Sequence, residues 1–220
     1  MQLYTFVGSS NCRKVEAVIN HIGLAVEIRH LDVFEGDLRR PDYLALNPNA
    51  RVPTLVDGSF VLWESDAIAQ YLADRAGADD LFPREPKARA EIVRWQFWNA
   101  AHFNRAISTL AFEAVAKPAF NLGPTNVAAV EIARTDLAQF APVLEGHLAG
   151  RQYMVGKGIT LADYATIKLE PYQMKIPFDW SPFPNINAYF ERMRRIEAWA
   201  KTAPKNYTDV GRKPKAVAAA

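Results

Sequence analysis

The sequence predicts a small α/β unit followed by an all-helical unit. Short runs of β-forming residues alternate with amphipathic helical patterns only in the first 76 residues. From Lys87 onward, apolar residues recur at helical spacing alone. Between the two, Gly77–Pro86 mixes turn formers with charged residues, which is typical of a linker. We therefore expect an α/β domain over 1–76, a linker over 77–86 and a helical domain over 87–220.

The first 31 residues predict a β-α-β unit. Gln2–Phe6 is rich in β-formers and predicts a strand. Residues 11–22 place Val15, Val18, Ile19 and Ile22 on one face of a helix, and Gly23 stands at its stop position. Val26–Leu31 predicts a second strand. A β-α-β order within about 30 residues favours a parallel strand pair.

The rest of the α/β unit predicts a loop, a hairpin and a helix. A polar stretch, Glu35–Asn49, leads into the β-forming run Arg51–Val56. Asp57-Gly58 is a strong two-residue hairpin signal before Phe60–Trp63. Ser65 is placed to cap a helix over Asp66–Ala76. The residue pattern thus gives the order β-α-β-loop-β-β-α.

The helical half predicts four longer helices. Thr160 and Asp163 resemble a capping box, with Asp in place of the usual Glu. Pro184 stands at a first-turn position of a helix. The tail 203–220 is polar, basic and alanine-rich, and we expect it to be loose. The predicted helices run over Lys87–Ala116, over Thr125–Ala149, from Thr160 toward Tyr172, and from Pro184 on.

Composition excludes several classes of protein. The 220 residues include 26 Lys+Arg and 24 Asp+Glu, and a net charge of +2 gives no argument for a nucleic-acid or membrane partner. The single cysteine, Cys12, excludes an internal disulfide and a multi-cysteine metal site, and the four histidines show no metal-binding spacing. The N-terminus lacks an uninterrupted apolar segment, and no run approaches 18 apolar residues. We expect a cytoplasmic protein without a bound metal.

The turn between the first strand and the first helix is a candidate for chemistry. Ser9, Ser10, Asn11 and Cys12 occupy it. A helix start presents free N–H groups and a positive dipole end, which favour an anion or a thiolate. In the alternative interpretation, Ser10 or Asn11 only caps the helix and Cys12 is a small buried residue.

Two further segments hold candidate binding groups. A cis Val52–Pro53 bond would turn the backbone of Val52 toward a cleft, where it could pair with an extended, peptide-like ligand. The residues alone favour a trans proline that begins an edge strand. Ser65 at a helix start could hold a carboxylate and Glu64 an ammonium group, unless they are an ordinary cap and an exposed charge.

The arginines of the polar loop are candidates for a second ligand carboxylate. Arg39 and Arg40 precede Pro41 in this loop. Solvated surface charge is the alternative for both.

Taken in order, these segments resemble the cytosolic glutathione transferase family, in particular bacterial, serine-type members of phi- or theta-like character. The resemblance covers nearly the whole chain. It implies a thioredoxin-like N-terminal domain of order β-α-β-α-β-β-α, an all-α helical-bundle C-terminal domain, a homodimer, and glutathione as co-substrate. The matching pieces are Leu3-Tyr4 followed by Ser9, Val52-Pro53-Thr54-Leu55, Glu64-Ser65 with Ile68 and Tyr71-Leu72, and Thr160-Leu161-Ala162-Asp163.

The resemblance implies a role for each candidate that binds glutathione. Val52 pairs with the cysteinyl part beside a cis Pro53, and Glu64 and Ser65 hold the γ-glutamyl end. Arg39 and Arg51 lie toward the glycine carboxylate.

The resemblance also implies the catalytic residue. Ser9 is the expected residue that activates the thiol, with Ser10 and Asn11 as neighbouring donors. Counting to the cysteine of the cysteine-type classes lands on Ser10 instead. Cys12 is out of register for a catalytic cysteine.

The second substrate is expected to be a small hydrophobic electrophile. Trp98, His102, Phe103 and Arg105 on the first long helix are candidates to line its site, although most of the aromatic residues suit a core equally. A zeta-type isomerase and a non-catalytic glutathione-binding or interaction module are the alternative functions. The zeta group has cysteine where Asn11 stands and glutamine where Glu64 stands, which argues against the isomerase.

Overall fold

The computed structural model describes residues 1–203, which form two compact units. The first unit comprises Met1–Asp79 together with the described residues from Glu197 on, and the second comprises Asp80–Ile196. Most of the tail that we expected to be loose, from residue 204 on, lies outside the described residues. Within residues 1–203, no helix is both long and apolar enough to cross a membrane.

The first unit is built on a mixed four-stranded sheet of order β2-β1-β3-β4. The strands β1 and β2 are parallel, as the β-α-β pattern predicts, and β3 is antiparallel to both β1 and β4. Asp57 pairs with Phe60, so the hairpin loop is Gly58-Ser59, one residue later than predicted. The strand bounds are Gln2–Thr5 (β1), Glu27–His30 (β2), Thr54–Asp57 (β3) and Phe60–Trp63 (β4).

Three helices complete this α/β fold. They are α1 (Ser10–Ile22), α2 (Pro41–Leu46) and α3 (Ser65–Ala76), and a 3₁₀ turn at Asp37–Arg39 precedes α2. Because α2 forms within the predicted loop, the observed order is the β-α-β-α-β-β-α that the resemblance implies. The core of the unit joins sheet and helices through Leu3, Val15, Ile19, Leu55, Ile68 and Leu72.

The last described helix, α11 (Glu197–Ala200), packs on the first unit, whereas we predicted that these residues belong to the helical domain. Trp199 is fully buried, and the guanidinium of Arg13 lies 3.7 Å from the centre of its ring. Arg13 also donates from Nε to Thr202 Oγ1 at 3.1 Å and from Nη2 to the Trp199 carbonyl at 3.3 Å. A long-range contact therefore decides where this segment lies.

The second unit is entirely helical in its regular structure. The predicted first long helix continues to Phe120, with two π-helical segments inside it. The helix predicted from Thr160 toward Tyr172 is divided into α8 and α9. The elements are α4 (Pro86–Trp98), a π segment (Asn99–Phe103), α5 (Asn104–Leu110), a π segment (Ala111–Ala116), α6 (Lys117–Phe120), α7 (Val127–Leu148), α8 (Leu161–Ile167), α9 (Glu170–Gln173) and α10 (Pro184–Arg194).

The capping box at the start of α8 forms as predicted. The Asp163 carboxylate accepts hydrogen bonds from the Thr160 N–H at 2.8 Å and the Thr160 hydroxyl at 3.0 Å. The Met154 N–H at 2.8 Å and the Tyr189 hydroxyl at 3.0 Å bind its other oxygen. Burial nevertheless raises the pKa of Asp163 to about 6. This carboxylate therefore joins α8 to α10 and to the preceding loop.

Candidate functional site

A cavity of about 420 Å³ lies in the first unit and gathers most of the predicted binding residues. Of the residues that the resemblance assigns to glutathione or to its thiol, Ser10 and Arg39 do not line it. The residues that line it are Phe6, Ser9, Asn11, Val33, Leu38, Asn47, Asn49, Arg51, Val52, Pro53, Glu64 and Ser65.

Ser9 caps helix α1 at this cavity. Its Oγ accepts the Cys12 N–H at 3.3 Å, and its own N–H donates to the Phe6 carbonyl at 3.0 Å. A hydroxyl group has one donor hydrogen and two acceptor lone pairs, so accepting the Cys12 N–H does not use the donor hydrogen of Ser9. The cap predicted at Ser10 or Asn11 is therefore wrong, because both residues lie inside α1. Capping does not prevent Ser9 from binding a ligand.

Cys12 is buried behind the same turn. Its side chain is fully inaccessible, and burial raises the pKa of its thiol against the lowering effect of hydrogen bonds with Ser9 and Thr5. A thiol in this environment stays protonated at neutral pH. The structure thus agrees with a small buried residue and gives no reactive thiolate here.

The loop that follows α2 is held from behind by a buried polar network. The Asn47 side-chain amide donates to the Arg51 carbonyl at 2.9 Å and to Thr54 Oγ1 at 3.0 Å, and its carbonyl oxygen accepts the Asn49 N–H at 3.1 Å. The Tyr43 hydroxyl donates to the same Arg51 carbonyl and lies 2.9 Å from Thr54 Oγ1. No local pattern of the sequence predicted this network. The one available signal was an asparagine directly before Pro48 in a polar stretch.

The network sets the position of Val52 and Pro53. The peptide bond between them is cis, as the resemblance implies, and the trans proline that the residues alone favour is wrong. Among the described residues, none pairs with the backbone N–H or C=O of Val52. Both groups remain free for an extended ligand, which could bind as an added strand.

The start of α3 forms the opposite side of the cavity. Ser65 is the first helical residue and Glu64 occupies the cap position, so the predicted Ser65 cap is wrong. Glu64 has φ 72° and ψ 112°, a conformation that costs a non-glycine residue about 1–3 kcal/mol. The Ser65 hydroxyl donates to Asn11 Oδ1 at 3.3 Å, which joins the starts of α3 and α1. Two helix N-termini thus meet at one cavity, an arrangement that favours a bound anion.

Arg51 is the arginine that reaches the cavity. Its guanidinium makes no ion pair with another described residue, and its side chain is exposed. Leu38 lines the wall next to the predicted Arg39, whose side chain is exposed outside the lining. Arg40 instead pairs with Asp42 at 2.6 Å on the surface. The geometry therefore favours Arg51 over Arg39 for a ligand carboxylate.

The four residues predicted to line an electrophile site lie in the second unit. Phe103 is fully buried against Trp98 and Trp180, so it belongs to the core, the alternative that the sequence left open. Trp98 is partly buried, and His102 is exposed with its ring 4.8 Å from that of Phe140. Arg105 is exposed.

Comparisons with known proteins give a consistent result. The family described as glutathione S-transferase, N-terminal domain, matches residues 3–80, and glutathione S-transferase, C-terminal domain, matches residues 103–197. The chain is 34% identical over 207 residues to glutathione S-transferase 3 of Zea mays, covering 92% of each chain. It is 30% identical to glutathione S-transferase D7 of Drosophila melanogaster, covering 93% of this chain and 84% of that one.

A solved structure shares the whole fold. It is a theta class glutathione S-transferase from Xanthomonas axonopodis pv. citri with glutathione bound. The TM-score is 0.83 at 28% identity, and the match covers 94% of this chain and 98% of that one.

Proposed function

This chain belongs to the glutathione S-transferase family and is a glutathione transferase, and from that premise we propose that the Ser9 hydroxyl stabilises the glutathione thiolate for attack on small hydrophobic electrophiles. The observation that carries the proposal is the position of Ser9. It lines the cavity at the N-terminus of α1 and keeps a donor hydrogen while it caps the helix.

The cavity offers one group for each part of glutathione. The N–H groups in the first turn of α3 suit the γ-glutamyl carboxylate, and the Ser65 hydroxyl can donate to it in place of Asn11 Oδ1. Glu64 suits the ammonium group. The free backbone groups of Val52 suit the cysteinyl part. Arg51 suits the glycine carboxylate, and Arg39 is left without a role because it does not line the cavity.

Keeping the bound thiol ionised at neutral pH requires only a modest free energy of stabilisation. A thiol of pKa about 8.5 is roughly 3% ionised at neutral pH, and lowering its pKa by about two units requires about 2.7 kcal/mol. A hydroxyl donor to a charged acceptor contributes about 1.5–3 kcal/mol, and a helix N-terminus adds about 0.3–1 kcal/mol. Ser9 and the start of α1 together reach this sum. The thiol proton leaves to solvent, so no general base is needed.

The test is a titration of the protein–glutathione complex, read from the ultraviolet absorbance of the thiolate. Loss of the hydroxyl in Ser9→Ala should raise the pKa of the bound thiol by about one to two units. The affinity for S-methylglutathione should stay within about threefold, because Ser9 contributes to the thiolate and little to the rest of the ligand. Ser9→Thr, which keeps a hydroxyl, should retain most of the effect.

Ser10→Ala is the matched control, because Ser10 is the adjacent serine and does not line the cavity. If Ser10→Ala raised the pKa of the bound thiol and Ser9→Ala did not, the role would pass to Ser10. A wild-type complex without a low-pKa thiol would contradict the proposal and indicate a non-catalytic binding module. Products that contain free glutathione would indicate the zeta-type isomerase.

We also propose that the enzyme is a cytoplasmic homodimer. The family resemblance supports the dimer, and a single buried cysteine suits a reducing compartment. Light scattering of the purified chain tests the dimer, and a stable monomer would refute it.

A further inference from the structure

We propose that the buried ion pair between Lys14 and Asp66 is a positioning pair that holds the two ends of the glutathione site in register. The inference rests on the proposed function, because it assigns the thiol to the start of α1 and the γ-glutamyl group to the start of α3. It concerns two residues that do not line the cavity.

The pair lies directly behind both ends of the site. Lys14 is one helical turn after Ser10 and Asn11 in α1, and Asp66 follows Ser65 in the first turn of α3. Lys14 Nζ and Asp66 Oδ1 are 2.6 Å apart. The Lys14 side chain is fully buried, and that of Asp66 is 24% exposed. Neither group can act on the ligand directly from this position, so their effect must pass through the two helices.

The location of the lysine indicates that it serves its partner rather than its own helix. A cation near a helix N-terminus is unfavourable, because that end already carries positive potential, whereas Asp66 is favourably placed at the start of α3. Burying an ammonium group costs several kcal/mol, and buried pairs can often be replaced by neutral residues without loss of stability. Folding alone therefore gives a weak reason for Lys14.

Register between the helices gives a stronger reason. The bond from the Ser65 hydroxyl to Asn11 Oδ1 also joins the two helix starts, and at 3.3 Å it is long. Glutathione must place its γ-glutamyl end at α3 and its sulfur at Ser9 simultaneously. A small slide of α1 along α3 would leave the γ-glutamyl contacts at α3 intact and move the Ser9 hydroxyl away from the sulfur.

The test replaces both charges, as Lys14→Met with Asp66→Asn, and compares two ligands. S-methylglutathione reports binding without an ionisable thiol, and glutathione reports activation. We expect affinity for S-methylglutathione within about threefold of wild type and a bound-thiol pKa higher by about one unit. The value of kcat/KM for a small electrophile should fall about ten- to a hundredfold. The single variant Lys14→Arg keeps the charge and should retain part of the activation that the double variant loses.

The control is the ion pair between Lys117 and Glu113 in the second unit, whose atoms are 2.7 Å apart and whose side chains are mostly buried. Lys117→Met with Glu113→Gln should change the melting temperature and leave the bound-thiol pKa unchanged. The single variant Asp66→Asn leaves a buried, unpaired ammonium group and should unfold more easily than the double variant, which keeps the test independent of folding.

The proposal is overturned if the bound-thiol pKa of the Lys14→Met, Asp66→Asn variant equals that of wild type. It is also overturned if the Lys117→Met, Glu113→Gln control raises the bound-thiol pKa as strongly. A wild-type protein that forms no bound thiolate would refute the proposed function itself and this inference with it. The wild-type titration separates that outcome from failure of the positioning pair alone.

Discussion

Asn47→Asp should lower the free energy of unfolding near neutral pH and recover much of it at lower pH. The substitution keeps the side-chain oxygen of the amide and replaces its nitrogen with a second oxygen. The oxygen that accepts the Asn49 N–H at 3.1 Å is preserved. The nitrogen that donates to the Arg51 carbonyl at 2.9 Å and to Thr54 Oγ1 at 3.0 Å becomes a second oxygen. Two hydrogen bonds of about 0.5–1.5 kcal/mol each are lost, and a buried negative charge faces a carbonyl oxygen.

We expect a loss of about 3 kcal/mol in the free energy of unfolding near pH 7, relative to wild type at the same pH. Protonation of the new carboxyl group restores a donor to the Arg51 carbonyl. Burial raises its folded-state pKa above the unfolded value, so the folded chain binds the extra proton. Stability is therefore recovered below the unfolded pKa and lost as pH rises through the folded one, and the deficit should shrink to about 1 kcal/mol near pH 5.

The assay is urea unfolding of both proteins near pH 7 and pH 5, with calorimetric binding of S-methylglutathione at the higher pH. Because the Arg51 carbonyl fixes the backbone next to Val52, affinity should fall at least about tenfold. Asn47→Ala is the companion variant. It also removes the acceptor for Asn49, so its deficit should be independent of pH. Wild-type affinity in Asn47→Asp, or a deficit that does not change with pH, would refute the positioning role of Asn47.

Four further predictions each concern one residue. Acidification from about pH 7 to pH 5 should stabilise the wild-type chain by about 1.4 kcal/mol relative to Asp163→Asn, because the folded pKa of Asp163, about 6, lies above its ordinary value of 3.8. Urea unfolding at the two pH values measures this, and an equal pH dependence of both proteins would contradict it. The free energy of unfolding of Glu64→Gly should exceed that of Glu64→Ala by about 1–3 kcal/mol, because glycine relieves the positive φ at this position. Equal urea midpoints of the two variants would exclude stored strain. Arg13→Met should expose Trp199 to acrylamide quenching, whereas Arg89→Met, which removes an arginine stacked 3.9 Å from a phenylalanine ring in the second unit, should not. Iodoacetamide should leave Cys12 unlabelled in the native chain and label it in urea, because burial keeps its thiol pKa high; mass spectrometry measures this, and equal labelling would refute it.

Local signals carried much of the fold. The helix at Ser10–Ile22, the parallel strands, the hairpin and the Thr160–Asp163 capping box were all predictable. Each depends on residues a few positions apart, whose periodicity or turn chemistry is written directly in the chain. The candidate residues of the cavity also came from short segments, since a helix start or an X-Pro bond is a local feature.

Long-range contacts decided the rest. The sequence determined that serines stand at a helix start and that Val52 precedes a proline, but the residues alone favoured the wrong isomer of that bond. Only the tertiary structure joined Trp199 to Arg13, which lies 186 positions earlier, and placed Lys14 beside Asp66. It also put Asn47 behind the Arg51 carbonyl, and it placed Arg51 rather than Arg39 in the lining of the cavity. The physical reason is that burial and hydrogen-bond satisfaction are properties of the closed core, where distant residues compete for the same polar partners, and no local period records that competition.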